Sequence, residues 1–126
     1  MNAGDTLLGL DQQGHLWMVL TSENAGGEVV VANLTTHSPE KYWCSERCVI
    51  VRPGEHPYPA HDSCVFYRDA FLTSASVLQQ GVDNRTYRMN EPLSAPLLMR
   101  IRRGALDSPL TLADVKAAIR KDSLRP

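Results

Sequence analysis

Short apolar and β-branched runs, separated by turn residues, most constrain how this chain folds. They occupy residues 5–10, 15–21, 28–34, 48–51 and 63–67. The run HLWMVLT at 15–21 is continuously apolar, which predicts a strand covered on both faces. Asp11–Gly14 predicts a turn with Gly14 at positive φ, and Thr35–Pro39 is expected to end the third strand. Such closely spaced strands favour a small closed or half-closed barrel over a parallel sheet.

The second half of the chain has helical patterns. We predict helices at Thr73–Gln79, Leu97–Arg103 and Leu112–Lys121. Ser94 is the expected N-cap of the second helix and Gly104 its C-terminal stop. Thr111 with Asp114 resembles a capping box at the start of the third.

Length and composition indicate one globular domain spanning residues 1–126, since the chain has 126 residues and 43% hydrophobic content. We expect a β-rich α+β fold with a barrel over about 4–92 and a C-terminal helical part over about 93–122. No run of 18 apolar residues exists, so no membrane contact is expected. The N-terminus lacks the basic and apolar regions of a secretory signal. With three cysteines, this predicts reduced thiols, no disulfide and a cytoplasmic location.

The charge is unevenly distributed along the chain. Residues 1–84 carry four basic and ten acidic side chains, whereas residues 85–126 carry nine basic and four acidic ones. Arg100, Arg102 and Arg103 cluster on the second predicted helix, where they could grip phosphate. The alternative is that they form the solvated face of an amphipathic helix.

The segment VRPGEHPYPAHDSCVFYRDA, residues 51–70, concentrates polar side chains on a loop that contains three prolines. Prolines reduce the entropy that such a loop loses when it orders, so it can hold functional groups in fixed positions. The alternative is a tight connection between strands whose polar groups cap backbone amides.

Histidine acid–base chemistry is the hypothesis that these residue types favour. Cleavage of RNA at a 2′-OH needs a base, an acid and a stabiliser of the phosphorane charge. The predicted catalytic residues are His56, His61, Thr36 and Arg68. The predicted nucleic-acid-binding residues are His15, Arg52, Tyr67, Arg100 and Arg103. The alternative is that His61-Asp62-Ser63 is a turn and His56 a half-buried spacer.

Zinc and a cysteine nucleophile fit the sequence less well. Cys44, Cys48, His56, His61 and Cys64 are potential zinc ligands, but their spacing matches no closed tetrahedral site. Arg47 is the only cation near Cys44, and Glu46 offsets its effect on the thiol. We therefore predict no metal and no cofactor.

The order of elements resembles the PemK/MazF family of toxin endoribonucleases. The matching stretches are Gly4-Asp5, GHLWMVLTS at 14–22, VVVANLTT at 29–36 and SCVFYRDAFLTSASVLQQ at 63–80. The resemblance covers roughly residues 4–80. It implies a small SH3-like barrel, metal-independent cleavage of single-stranded RNA, a cognate antitoxin as partner and a homodimer.

One departure affects the activity that this resemblance implies. The family has a catalytic arginine in a G-x-R-P context, where this chain has Gly14-His15-Leu16-Trp17. The family's catalytic Thr or Ser corresponds to Thr35 or Thr36. Either His15, His56 or Arg68 replaces the arginine, or the chain is a non-catalytic barrel that binds protein or nucleic acid. Such a module would use its aromatic residues, Trp17, Trp43, Tyr42 and Tyr58.

Overall fold

The computed structural model of the protein describes residues 1–10, 14–36 and 49–122. Its strands are β1 (Thr6–Gly9), β2 (Leu16–Val19), β3 (Glu28–Thr36), β4 (Ile50–Val51), β5 (Ser63–Val65), β6 (Phe71–Ser74) and β7 (Tyr87–Asn90). Its helices are α1 (Ala75–Asp83), α2 (Ala95–Asp107) and α3 (Ala113–Lys121), and a 3₁₀ turn spans Tyr67–Asp69.

The strands of this described part form one seven-stranded sheet in which every strand pairing is antiparallel. The order is β4-β5-β3-β2-β1-β7, and β6 pairs with the first half of β3. The end of β3 pairs with β5. The predicted β-rich α+β class is therefore confirmed. The outer strands β4 and β7 do not pair with each other among the described residues, so a closed barrel is not shown.

Both faces of this sheet are covered, which divides the core into two clusters. On one face, Leu16, Met18 and Leu20 pack with side chains of α2 and α3. On the other face, Val19 and Val31 pack with Ala75 and Leu78 of α1. The prediction that the 15–21 run is covered on both sides is confirmed. From the sequence we also expected most apolar strand side chains to share one core; Val19 and Val31 instead lie in the second cluster, because α1 covers that face.

The sheet also differs from the sequence prediction at several strand ends. β3 extends beyond Leu34 to Thr36, because Thr35 and Thr36 pair with Cys64 and Ser63 of β5. Residues 71–74 pair with β3 as a strand, so Thr73 and Ser74 belong to β6 and not to the start of the predicted helix. The sequence analysis also missed β7, which pairs with β1. Gly14 does adopt a positive φ of 55°, while the rest of its predicted turn, residues 11–13, lies outside the described residues.

The helices confirm one predicted cap and correct two other predictions. The Ser94 hydroxyl accepts a hydrogen bond from the Leu97 amide at 3.3 Å, as an N-cap does. Gly104 does not stop α2 but lies inside it, where a Cβ would collide with the Tyr67 hydroxyl and with Val49. The buried Thr111 hydroxyl has no hydrogen-bond partner, so the predicted capping box does not form.

A buried ion pair joins α2, α3 and the sheet. The Arg102 guanidinium donates to the Leu20 carbonyl and to the Asp122 carboxylate, each at 2.6 Å. Asp122 also accepts from the Ser22 amide at 3.3 Å. Of the predicted basic cluster on α2, Arg102 therefore holds the helices together instead of facing solvent.

Cys64 is disulfide-bonded, so the prediction that all three thiols are free is wrong. Burial in a strand does not prevent a disulfide, because cysteine is among the most buried residue types in either form. The other cysteines, Cys44 and Cys48, lie outside the described residues. With Cys64 in a disulfide, the thiols do not indicate a reducing compartment. Within the described residues, no helix has the length and apolar character to cross a membrane.

Candidate nucleic-acid site

Three side-chain contacts hold the proline-containing loop, residues 52–62, against the rest of the fold. They are Arg100 to Glu55, His56 to the Glu91 carbonyl, and Tyr58 to the Gly14 carbonyl. The loop is thus attached to α2, to the segment after β7 and to the turn before β2. It presents its remaining side chains from a fixed backbone, as the prolines predicted.

Arg100 holds this loop instead of presenting its charge to a ligand. Its guanidinium forms a bidentate pair with Glu55, at 2.8 and 2.9 Å, and donates to the Ile50 carbonyl at 3.0 Å. The hydrogen bond from Arg100 lowers the pKa of the Glu55 carboxyl, and the same bond raises the pKa of Arg100. Such fork-shaped pairs fix geometry as well as charge. Arg100 therefore acts here as a structural clamp.

His56 is a buried structural residue with both ring nitrogens in use. Its Nδ1 accepts a hydrogen bond from the Tyr58 amide at 3.1 Å. Its Nε2 must then carry the proton, and it donates to the Glu91 carbonyl at 2.5 Å. The residue is only 4% exposed. This corresponds to the alternative interpretation of His56 as a spacer, and it leaves neither nitrogen available to a substrate.

His61, Thr36 and His15 line one cleft of about 330 Å³, which we call the histidine cleft. Thr36 pairs with Ser63, so His61, two residues before Ser63, lies beside the end of β3. The bond from the Tyr58 hydroxyl to the Gly14 carbonyl, at 2.8 Å, brings in His15. The cleft is lined by His15, Leu34, Thr35, Thr36, Tyr58, Pro59, Ala60, His61 and Ser63.

The other predicted site residues do not line the histidine cleft. Tyr67 is 2% exposed, and its hydroxyl donates to the Ile101 carbonyl at 2.8 Å, so it belongs to the core. Arg68 is exposed on the 3₁₀ turn, Arg103 is exposed on α2, and Arg52 is exposed at the start of the proline-containing loop. Among the described residues, no lysine, arginine or carboxylate lines the cleft.

From the sequence, Ser63 was not assigned to this site, Thr35 was only an alternative to Thr36, and Tyr58 was assigned only to a binding module. Tyr58 connects the proline-containing loop to the turn before β2, a contact between segments 44 residues apart. Ser63 and Thr35 enter the cleft through the pairing of β3 with β5. The sequence pointed to this region through the polar residues around His61 and through Thr36 at the end of the third strand.

A second cleft, which we call the aromatic groove, adjoins the histidine cleft because His15 lines both. Its volume is about 500 Å³. It is lined by Gly9, Leu10, His15, Trp17, Arg85, Thr86 and Tyr87. Of these residues, only Trp17 and His15 were assigned to a binding role from the sequence.

Comparisons with known proteins do not assign this site. No protein-family model matches the chain, and a search of curated proteins finds no match. Within the described ranges, no group of three or more His, Cys, Asp and Glu side chains is placed to hold a metal ion.

Proposed function

We propose that the protein is an endoribonuclease that cleaves single-stranded RNA at the histidine cleft without using a metal ion. The observation that carries this proposal is that His15, His61 and Thr36 line the same cleft. Histidine titrates close to neutral pH, so two histidines can serve as base and acid in one reaction. A threonine hydroxyl beside them can hydrogen-bond to a phosphate oxygen.

The reaction follows from these groups. One histidine takes the proton of the ribose 2′-OH, and the 2′ oxygen attacks phosphorus. The bond from phosphorus to the 5′ oxygen breaks, and the second histidine gives that oxygen a proton. The products are a 2′,3′-cyclic phosphate and a 5′-hydroxyl end, and no oxidant or cofactor takes part. His15 and His61 can each take either role.

His15 is positioned to replace the catalytic arginine that PemK/MazF toxins have and this chain lacks. His15 stands directly after Gly14 and next to Leu16, which occupies the arginine position of the family's G-x-R-P context. It lines the cleft together with Thr36, which corresponds to the family's hydroxyl residue. We therefore propose that His15 takes the place of that arginine, and that Arg68 and His56 are outside the reaction.

The proposal also includes the type of barrel and the biological role of the protein. The antiparallel sheet, with β3 shared between β2, β5 and β6, supports an SH3-like barrel of the PemK type. We propose that the protein is the toxin of a type II toxin–antitoxin pair. It acts in the cytoplasm as a homodimer, and a cognate antitoxin neutralises it. The resemblance of residues 4–80 to PemK/MazF toxins supports these assignments.

The test is cleavage of a long single-stranded RNA by purified protein in the presence of a chelator. We expect His61→Ala to lower the rate about 10²–10⁴-fold, the usual contribution of an acid–base group. The matched control is Asp62→Ala, because Asp62 is the exposed neighbour of His61 and does not line the cleft. Equal loss in both variants, or no loss in either, would contradict the assignment.

A second candidate function is a non-catalytic binding module. Leu10, Phe71 and Met89 are 48%, 42% and 41% exposed, and exposed apolar side chains of this size are often found at interaction surfaces. This candidate becomes the better one if the protein binds single-stranded RNA without cleaving it, or arrests growth with His61 replaced by alanine.

A further inference from the structure

We propose that the aromatic groove binds a nucleotide of the same single-stranded RNA, next to the phosphate that the histidine cleft cleaves. The base stacks on Trp17 and Tyr87, and the phosphate pairs with Arg85. This inference rests on the proposed function for the substrate class, but it assigns a separate binding site. His15 lines both clefts, so a strand lying in one continues into the other.

Both aromatic rings of the groove are held by packing. The Trp17 ring meets Phe71 edge to face, with ring centroids 5.8 Å apart and the planes at 81°. The Tyr87 ring lies so close to Gly81 of α1 that a Cβ there would collide with it. Rigid rings with one face in a groove stack on any base, because every base has a π-face.

The cation of the groove, Arg85, is presented by a fixed turn. The Leu10 amide donates to the Thr86 carbonyl at 3.0 Å, and the Thr86 amide donates to the Asn84 side chain at 3.0 Å. Arg85 lies between them with a φ of 65°, a conformation that glycine adopts more easily. The turn thus holds an arginine where its backbone is strained, and such outliers often mark functional positions.

The charge of the groove favours an anionic ligand. The whole chain has a formal net charge of −1, yet none of the described residues that line the groove carries a carboxylate. By contrast, the cleft between the loop after β2 and α3 is lined by three carboxylates, those of Glu23, Glu28 and Asp122. Sites for single-stranded nucleic acid combine aromatic rings, on which the bases stack, with positive charge that attracts the phosphates.

The experiment uses a Trp43→Phe background, in which Trp17 is the sole tryptophan. The probe is a single-stranded DNA of about eight nucleotides, within the usual range of site sizes. DNA lacks the 2′-OH, so it binds without being cleaved. We expect saturable quenching of Trp17 fluorescence. Arg85→Gly should weaken binding and lower the slope of log K against log salt by about 0.7, the value for one lost phosphate contact.

The matched control is Arg88→Ala, because Arg88 pairs with Leu8 and points to the opposite face of the sheet from Tyr87. Arg85→Gly should fold at least as well as the unmodified chain, since glycine accepts the positive φ. The proposal is overturned if both variants bind equally well, if the probe leaves Trp17 unquenched, or if Trp17 fluorescence depends on protein concentration alone, as a second copy in the groove would produce.

The two proposals fail in different ways. Binding that depends on Arg85, without RNA cleavage that depends on His61, would support the groove and overturn the proposed ribonuclease. Cleavage that depends on His61, together with binding that is insensitive to Arg85, would overturn the groove and leave the ribonuclease standing.

Discussion

Replacing Arg102 by methionine should be among the most destabilising changes in this protein. The Arg102 and Asp122 side chains are only 6% and 5% exposed, and their charged groups approach to 2.6 Å. Methionine leaves the Asp122 carboxylate buried without its guanidinium, and it removes the donor from the Leu20 carbonyl. The pair joins α2, α3 and the sheet, so its loss affects the attachment of both helices.

The expected cost is about 3–5 kcal/mol, the usual result of removing one partner of a buried pair. A domain of this kind has a total stability of about 5–15 kcal/mol, so the variant would be marginal. A double variant, Arg102→Met with Asp122→Leu, should recover much of the loss, because an apolar pair leaves no buried charge.

Urea unfolding followed by circular dichroism measures these differences. The control is Arg103→Met on the exposed side of α2, where the change should stay within about 0.5 kcal/mol. An Arg102→Met variant that loses less than about 1 kcal/mol would refute the reasoning. So would a double variant that is less stable than Arg102→Met alone.

The same pair predicts how stability depends on pH. Burial would raise the pKa of the Asp122 carboxyl, but hydrogen bonds from Arg102 and Ser22 outweigh it and hold that pKa below its usual value. The stabilisation is therefore complete above about pH 3.9, the ordinary value for aspartate, and is lost as pH falls through the folded-state pKa. Asp122→Asn should flatten this loss of stability in acid, which unfolding curves across acid pH would show.

Three further predictions concern single residues. Gly104→Ala should destabilise by about 1–3 kcal/mol in urea unfolding, despite alanine's helix propensity, because its methyl group would collide with Tyr67; an increase in stability would contradict this packing. His56→Ala should cost about 1–3 kcal/mol by leaving the Tyr58 amide without its acceptor and the Glu91 carbonyl with only the Thr6 hydroxyl as donor, while the folded variant still cleaves RNA; lost cleavage in a folded variant would return His56 to the catalytic site. Denatured protein purified without reductant should show one titratable thiol, and three after reduction, because Cys64 is disulfide-bonded; three thiols before reduction would contradict the disulfide.

The sequence predicted those strands and helix ends that residues close together in the chain determine. Each of the first three strands coincides with an apolar run in the sequence. Ser94 caps α2 through the amide of Leu97, only three residues away. Thr73 and Ser74 were assigned to the start of a helix because Thr and Ser favour that position before a helical pattern. Their strand conformation is set by pairing with β3, more than 40 residues earlier in the chain.

The candidate site was predictable in part. Thr36 and His61 lie in one cleft, as the proline-containing loop and the end of the third strand predicted together. His56 and His61 are the same residue type five positions apart, yet one is buried and one exposed. The difference comes from the Glu91 carbonyl, 35 residues away, which accepts a hydrogen bond from His56. Sequence spacing carries no information about such an acceptor.

The chemistry of the RNA ends tests the proposed two-histidine mechanism most directly. The mechanism uses the 2′-OH as nucleophile, so fragments should carry 2′,3′-cyclic phosphate and 5′-hydroxyl ends. A single 2′-deoxy substitution at the nucleotide before the scissile bond should block cleavage there and leave other sites unaffected. Fragments with 3′-hydroxyl and 5′-phosphate ends, or continued cleavage at the 2′-deoxy position, would contradict the proposed roles of His15 and His61.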